Sequence, residues 1–117
     1  MRILLVDDHG PFRDAARMLL EAELCEVVAE AATGEDALAA AIASGADLVL
    51  VDVHLPGIDG FDTARRLLAA PGHPTVVLIS SRTLAEIGAD RVATCGACGF
   101  VHKAELCRAE LDRLIAA

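Results

Sequence analysis

Three aspartates close two apolar runs, and carboxylates placed that way can gather a cation or act as an oxygen nucleophile. Asp7 and Asp8 end the run Arg2-Ile3-Leu4-Leu5-Val6, and Asp52 ends Leu48-Val49-Leu50-Val51. In an open α/β sheet, ligands bind outside the carboxyl ends of the strands. Two such runs lying side by side bring Asp7, Asp8 and Asp52 into one pocket. Three like charges in a small volume are unfavourable unless a cation or a shared proton offsets them. A hard, oxygen-liganded ion such as Mg²⁺ suits that donor set. The chemistry this points to is phosphate chemistry.

Two further polar residues fall at the ends of apolar runs. Ser80 follows Thr75–Ile79, and Lys103 follows Gly99–His102. A hydroxyl and an ammonium can stabilise phosphoryl oxygens that a metal leaves free. A carboxylate beside them can be the nucleophile. No residue stands out as a general base for an organic substrate.

Short β-rich runs alternate with longer helical patterns, which predicts a parallel α/β sheet. The strands are predicted at about Arg2–Val6, Glu26–Ala29, Leu48–Val51, Thr75–Ile79 and Gly99–His102. Helices are predicted from Pro11 to Glu23, Gly34 to Ser44, Phe61 to Ala70, Leu84 to Thr94 and Ala104 to Ile115. Pro11 suits a first helical turn. Thr33 suits an N-cap and Gly45 a helix stop. Gly88 interrupts the fourth helical pattern. Pro71-Gly72-His73-Pro74 is a breaker cluster. The expected architecture is five βα units around one parallel sheet, and residues 1–117 are expected to form one domain.

Composition narrows the function. Apolar residues make up 55% of the 117, too many for a disordered chain. No apolar stretch approaches the ~20 residues of a membrane helix. No signal-peptide pattern precedes the first strand, so a cytoplasmic location is expected. The net charge is −8, and the basic residues are scattered without a stripe to neutralise phosphates. Trp and Tyr are absent, which removes stacking platforms for bases. Direct nucleic-acid binding by this chain is not expected.

The motifs together resemble the response regulator receiver domain over the whole chain, which implies its CheY-like fold, a doubly wound (βα)₅ sheet with strand order 2-1-3-4-5. The matching pieces are Leu5-Val6-Asp7-Asp8, Val51 through Gly60, Leu78-Ile79-Ser80-Ser81 and Gly99-Phe100-Val101-His102-Lys103. Asp8-His9 followed by Phe12-Arg13 resembles the NarL/FixJ-type branch. The resemblance implies that Asp52 takes a phosphoryl group from a phosphohistidine on a sensor histidine kinase. It implies Mg²⁺ held by Asp8, Asp52 and the backbone carbonyl of His54, with Asp7 acting through a metal-bound water. Lys103 would pair with the phosphoryl group and Ser80 would hydrogen-bond to it. Phe100 occupies the position of the family's switch aromatic. Phosphorylation would then shift a two-state equilibrium on the face made by the fourth helix, the fifth strand and the last helix. Such a protein catalyses only its own phosphorylation and dephosphorylation. Its expected partners are the kinase, a downstream protein or separate output domain, and a second copy in a homodimer.

The chain departs from the family in places. Ala104 follows Lys103 where many receivers have Pro. The interval from Ser80 to Lys103 is about one residue longer than usual. His54 and Arg82 hold the variable positions beside the site. No DNA-binding domain follows in this sequence. That leaves two expectations, a stand-alone receiver or the regulatory part of a NarL/FixJ-type transcription factor. A phosphorylation-independent interaction module is a third.

Blander readings exist for each residue. Asp7 and Asp8 could be helix caps, Ser80 could cap the next helix, and Phe100 could be a half-buried core residue. Cys95-Gly96-Ala97-Cys98 could suggest redox or zinc chemistry. It lies at the end of a helix, however, where the dipole does not lower a thiol pKa. Cys25 and Cys107 are expected too far away to complete a zinc site. Aspartate-nucleophile phosphatases usually carry a second aspartate two residues on, and His54 stands there.

Overall fold

The computed structural model describes residues 1–116. Five strands, β1 (Arg2–Val6), β2 (Glu26–Ala31), β3 (Leu48–Asp52), β4 (Thr75–Ser80) and β5 (Gly99–His102), form one parallel sheet. Their order is β2-β1-β3-β4-β5, as expected. The helices are α1 (Gly10–Ala22), α2 (Gly34–Ser44), α3 (Gly60–Ala69), α4 (Leu84–Ile87), α5 (Ala89–Thr94) and α6 (Arg108–Ala116).

Alternation along the strands builds two cores, one on each face of the sheet. Leu4, Val6, Val49, Val51, Val76 and Leu78 face α2, α3, α4 and α5, where Ala37, Phe61, Ala64, Leu67, Ile87 and Val92 meet them. Ile3, Leu5, Leu48, Leu50, Val77, Ile79 and Val101 face the other way, onto Ala16 and Leu20 of α1 and Leu111 of α6. All five residues of β3 are buried, which explains its unbroken apolar run.

Local signals set most boundaries. The Thr33 side chain caps α2 by accepting from Asp36 N–H at 3.1 Å, and Gly45 ends it in the left-handed region at φ 62°. Asp59 caps α3 through Asp62 N–H at 2.8 Å. Pro11 sits in the first turn of α1.

Three expectations need correction. The fourth helical pattern is two pieces, α4 and α5, because Gly88 at φ 100° and ψ 102° breaks the helix between them. The last helix does not start at Ala104. A 3₁₀ turn at Lys103–Glu105 comes first, Leu106 is extended, and α6 begins at Arg108. β2 runs two residues past Ala29, because its pairing with β1 continues to Ala31 opposite Val6. Asp52 and Ser80 are the final residues of their strands, so both are held by the sheet.

Candidate functional site

Register brings the acidic residues together. Val6 pairs with Val51, so Asp7 and Asp52 leave adjacent strands side by side. Ligand oxygens of Asp7, Asp8 and Asp52 lie within 4.8 Å of one another. Asp7 and Asp52 are buried, and Asp8 is exposed at the rim. The cap reading fails here: His9 is the N-cap of α1, and no side chain supplies its cap hydrogen bond. The Asp7 carboxylate instead accepts His9 N–H at 2.8 Å, and its main-chain N–H donates to Ala31 O at 3.0 Å.

Lys103 enters from the far side. Its Nζ lies 2.5 Å from Asp7 Oδ2 and 3.7 Å from Asp52 Oδ2, with the side chain only 16% exposed. The Asp7 approach is an ion contact without hydrogen-bond alignment, so Oδ2 keeps no directed donor. The ammonium also sits 4.4 Å from the Phe12 ring centre, a cation–π contact. Three carboxylates therefore face one ammonium. Burial pushes the Asp52 carboxyl above the usual carboxylate range, and the neighbouring Asp7 charge adds to that. Lys103 and the His54 N–H, 3.4 Å from Asp52 Oδ1, oppose the rise without cancelling it.

That unbalanced negative charge, the hard-oxygen donor set and the undirected Asp7 Oδ2 fit a divalent cation. Asp7, Asp8 and Asp52 are the side chains that could hold it. Among the described residues they form the one such group of three or more. His54 lies exposed in the loop directly above, where its main chain could add a ligand.

Ser80 is fully buried, and its hydroxyl accepts Arg82 N–H at 3.0 Å. Its own proton remains free to donate. It does not cap the next helix. Thr83 does that, in a capping box with Glu86. Phe100 is half-buried on β5 beside Leu84, Glu110 and Arg113.

Several positioning residues escaped the sequence reading. Gly60 N–H donates to Val53 O at 2.9 Å, and a Cβ on Gly60 would lie 2.2 Å from the Asp52 carbonyl oxygen. Only glycine lets α3 sit this close to the end of β3. Arg13 donates to the Asp7 carbonyl oxygen and, at 3.0 Å, to Glu30 on β2. Arg17 grips the other Glu30 oxygen at 2.7 Å. Burial alone would raise the Glu30 carboxyl, but hydrogen bonds from Arg17 and Arg13 hold it below its ordinary value. Phe12 and Arg13 open α1 one turn after Asp8, and that spacing was the available signal. Arg91 lies over Phe61 at 4.1 Å and 3.6 Å from Asp59, on the cleft wall shared with Asp8 and His54.

The cysteines do not converge. Cys95 is buried and donates to Val92 O, whereas Cys98 is exposed and donates to Leu114 O. All four thiols are free.

A five-stranded 2-1-3-4-5 sheet with an acidic cluster, a hydroxyl and a lysine at its carboxyl edge defines a receiver-type fold. The family model for the response regulator receiver domain matches residues 3–116, and the chain belongs to that family. It is 35% identical over 105 residues to the response regulator GacA of Pseudomonas viridiflava, covering 88% of this chain and 48% of that protein. The signal receiver domain of NarL from Mycobacterium tuberculosis superposes with a TM-score of 0.85 at 30% identity, covering 99% and 97% of the two chains. A two-component response regulator of the LuxR family from Aurantimonas gives 0.86 at 31% identity, covering 98% and 85%. These relatives fit the NarL/FixJ branch. The chain spans about half the length of the curated relatives it matches.

Proposed function

We propose that this domain accepts a phosphoryl group on Asp52 from a phosphohistidine of a sensor histidine kinase, and passes the signal on by changing shape. The observation that carries this is the cluster of Asp7, Asp8 and Asp52 with Lys103 wedged between two of the three. Mg²⁺ held by Asp7, Asp8, Asp52 and the His54 carbonyl would supply charge neutralisation for the phosphoryl oxygens.

The rest belongs to this chain's own residues. An Asp52 oxygen attacks phosphorus, and the bond from phosphorus to the donor's imidazole nitrogen breaks. That nitrogen keeps the electron pair, and an acyl phosphate results. The Lys103 ammonium turns from Asp7 toward the new charge, and the Ser80 hydroxyl donates its free proton to a phosphoryl oxygen. Drawing Ser80 inward moves the loop before α4. Phe100, on the adjoining strand, follows, and the face made by α4, α5, β5 and α6 changes. The reading extends to a cytoplasmic protein that signals to a downstream protein or an output domain, and to a homodimer as one form of the active state.

The experiment is intact-mass spectrometry after incubation with Mg²⁺ and phosphoramidate, wild type beside Asp52→Asn. One phosphoryl group on the wild type alone is the expected result. An equal gain on the variant overturns the assignment of Asp52.

A further inference from the structure

His102 joins the two loops that carry the phosphoryl-facing groups. It stands directly across from Ser80 in the β4–β5 register. Its Nε2 lies 2.8 Å from the carbonyl oxygen of Ser81, and its Nδ1 accepts the Ala104 N–H at 3.1 Å. Ser81 follows Ser80, and Ala104 follows Lys103. The imidazole thus ties the two loops together, capping the 3₁₀ turn at Lys103–Glu105 through Nδ1 and reaching across to Ser81 through Nε2. Because Nδ1 accepts, the ring N–H that bonds outward must lie on Nε2, where it donates to the Ser81 carbonyl oxygen. A carboxamide can also accept and donate, but an aliphatic side chain can do neither.

The surroundings fit this role. The hydroxyl of Ser80 holds the next turn of the same loop through Arg82 N–H. The Lys103 side chain points the other way, to Asp7 and Asp52. Leu84, Glu105, Glu110 and Arg113 line the cleft beside the ring, and none of them hydrogen-bonds to it. Both hydrogen bonds of the imidazole go to main chains, those of Ser81 and Ala104.

We propose that His102 is a positioning residue that presets the spacing between Ser80 and Lys103 before the phosphoryl group arrives. The proposal rests on the assignment of those two residues to the phosphoryl oxygens. Without this tie, the two loops must be ordered during the transfer itself, which slows the step and leaves the cation pocket alone. Misplacement of reacting groups by an ångström can cost one to two orders of magnitude in rate.

The test compares wild type, His102→Leu and His102→Gln, with Asp52→Asn as the blank. Phosphorylation by phosphoramidate is followed by intact mass, Mg²⁺ affinity by calorimetry, and the imidazole tautomer by long-range ¹H–¹⁵N spectra. The expected result for the Leu variant is a rate about tenfold lower, with Mg²⁺ affinity unchanged within about twofold. The Gln variant recovers part of the rate, and the wild-type ring shows the Nε2–H tautomer. A Leu variant as fast as wild type, a parallel loss of Mg²⁺ affinity, or a ring protonated on Nδ1 alone each overturns the proposal. If the Leu variant does not fold, the tautomer and the Gln variant decide: a wild-type Nδ1–H ring overturns it. No phosphoryl gain on the wild type overturns the Asp52 reading itself, and this proposal with it.

Discussion

The Lys103 ammonium lies closer to Asp7, at 2.5 Å, than to Asp52, at 3.7 Å. The lysine therefore stands where a cation would, and a bound cation would compete with it for the same oxygens. Replacing Lys103 with Ala should raise Mg²⁺ affinity by about fivefold or more, since a positive charge within a few ångströms is removed. The same change should slow phosphorylation and, without Mg²⁺, lower stability by about 2 kcal/mol through unpaired buried carboxylates. Calorimetric titration with Mg²⁺ beside thermal melts checks both. Weaker Mg²⁺ binding by the variant would contradict the competition.

Asp52 works against the fold. Burial and the Asp7 charge raise its carboxyl above the ordinary range. The folded state thus holds the Asp52 proton more tightly than the unfolded chain, and stability falls as pH rises through that interval. Asp52→Asn should be more stable than wild type at neutral pH without Mg²⁺, by on the order of 1 kcal/mol, or about 4 °C in Tm. The gap should shrink as pH drops below the carboxylate range, and Mg²⁺ should narrow it at neutral pH by binding the native wild type. Melting curves at several pH values, with and without Mg²⁺, measure this directly.

The closeness of Asp7, Asp8 and Asp52 was legible in the residues, because each apolar run ends in aspartate and laying the two runs side by side gathers the acids; the register itself, Val6 opposite Val51, came from the sheet. The helix pieces were harder. Gly88 marked an interruption, but whether the helix bends or breaks depends on a main-chain angle that composition does not specify. The 3₁₀ turn at Lys103–Glu105 was missed, because Ala104 and Glu105 favour helix and carry no stop signal. Positioning contacts such as Gly60 on Asp52 and Arg13 on Asp7 join residues whose approach depends on packing. Only the finished sheet reveals them.

Gly60 is such a contact. An added methyl at this position meets the Asp52 main chain at 2.2 Å, and neither backbone can yield without moving the other. Gly60→Ala should cost about 2–3 kcal/mol by overpacking. It should also reduce phosphorylation of the protein that remains folded. Chemical denaturation and intact mass on the same samples separate the two effects.

Gly88 and Gly45 make a contrasting pair. Gly45, at φ 62° and ψ 34°, is in the left-handed region that Asn also tolerates, and nothing lies within 4 Å of its absent Cβ. Gly88, at φ 100° and ψ 102°, is in a region that L side chains rarely adopt. Gly45→Asn should therefore change stability by less than about 0.5 kcal/mol, whereas Gly88→Ala should cost about 1–2 kcal/mol. Equal costs in denaturant titrations would argue against the break between α4 and α5.

On the proposed function, the phosphoryl group sits on Asp52 as a mixed anhydride. Borohydride reduces such an acyl phosphate to the alcohol, leaving homoserine where the aspartate stood. Peptide mapping of the protein after Mg²⁺, phosphoramidate and borohydride should find homoserine at position 52 and aspartate intact at positions 7 and 8. Homoserine at another position, or none in a protein that has gained a phosphoryl group, would contradict the account.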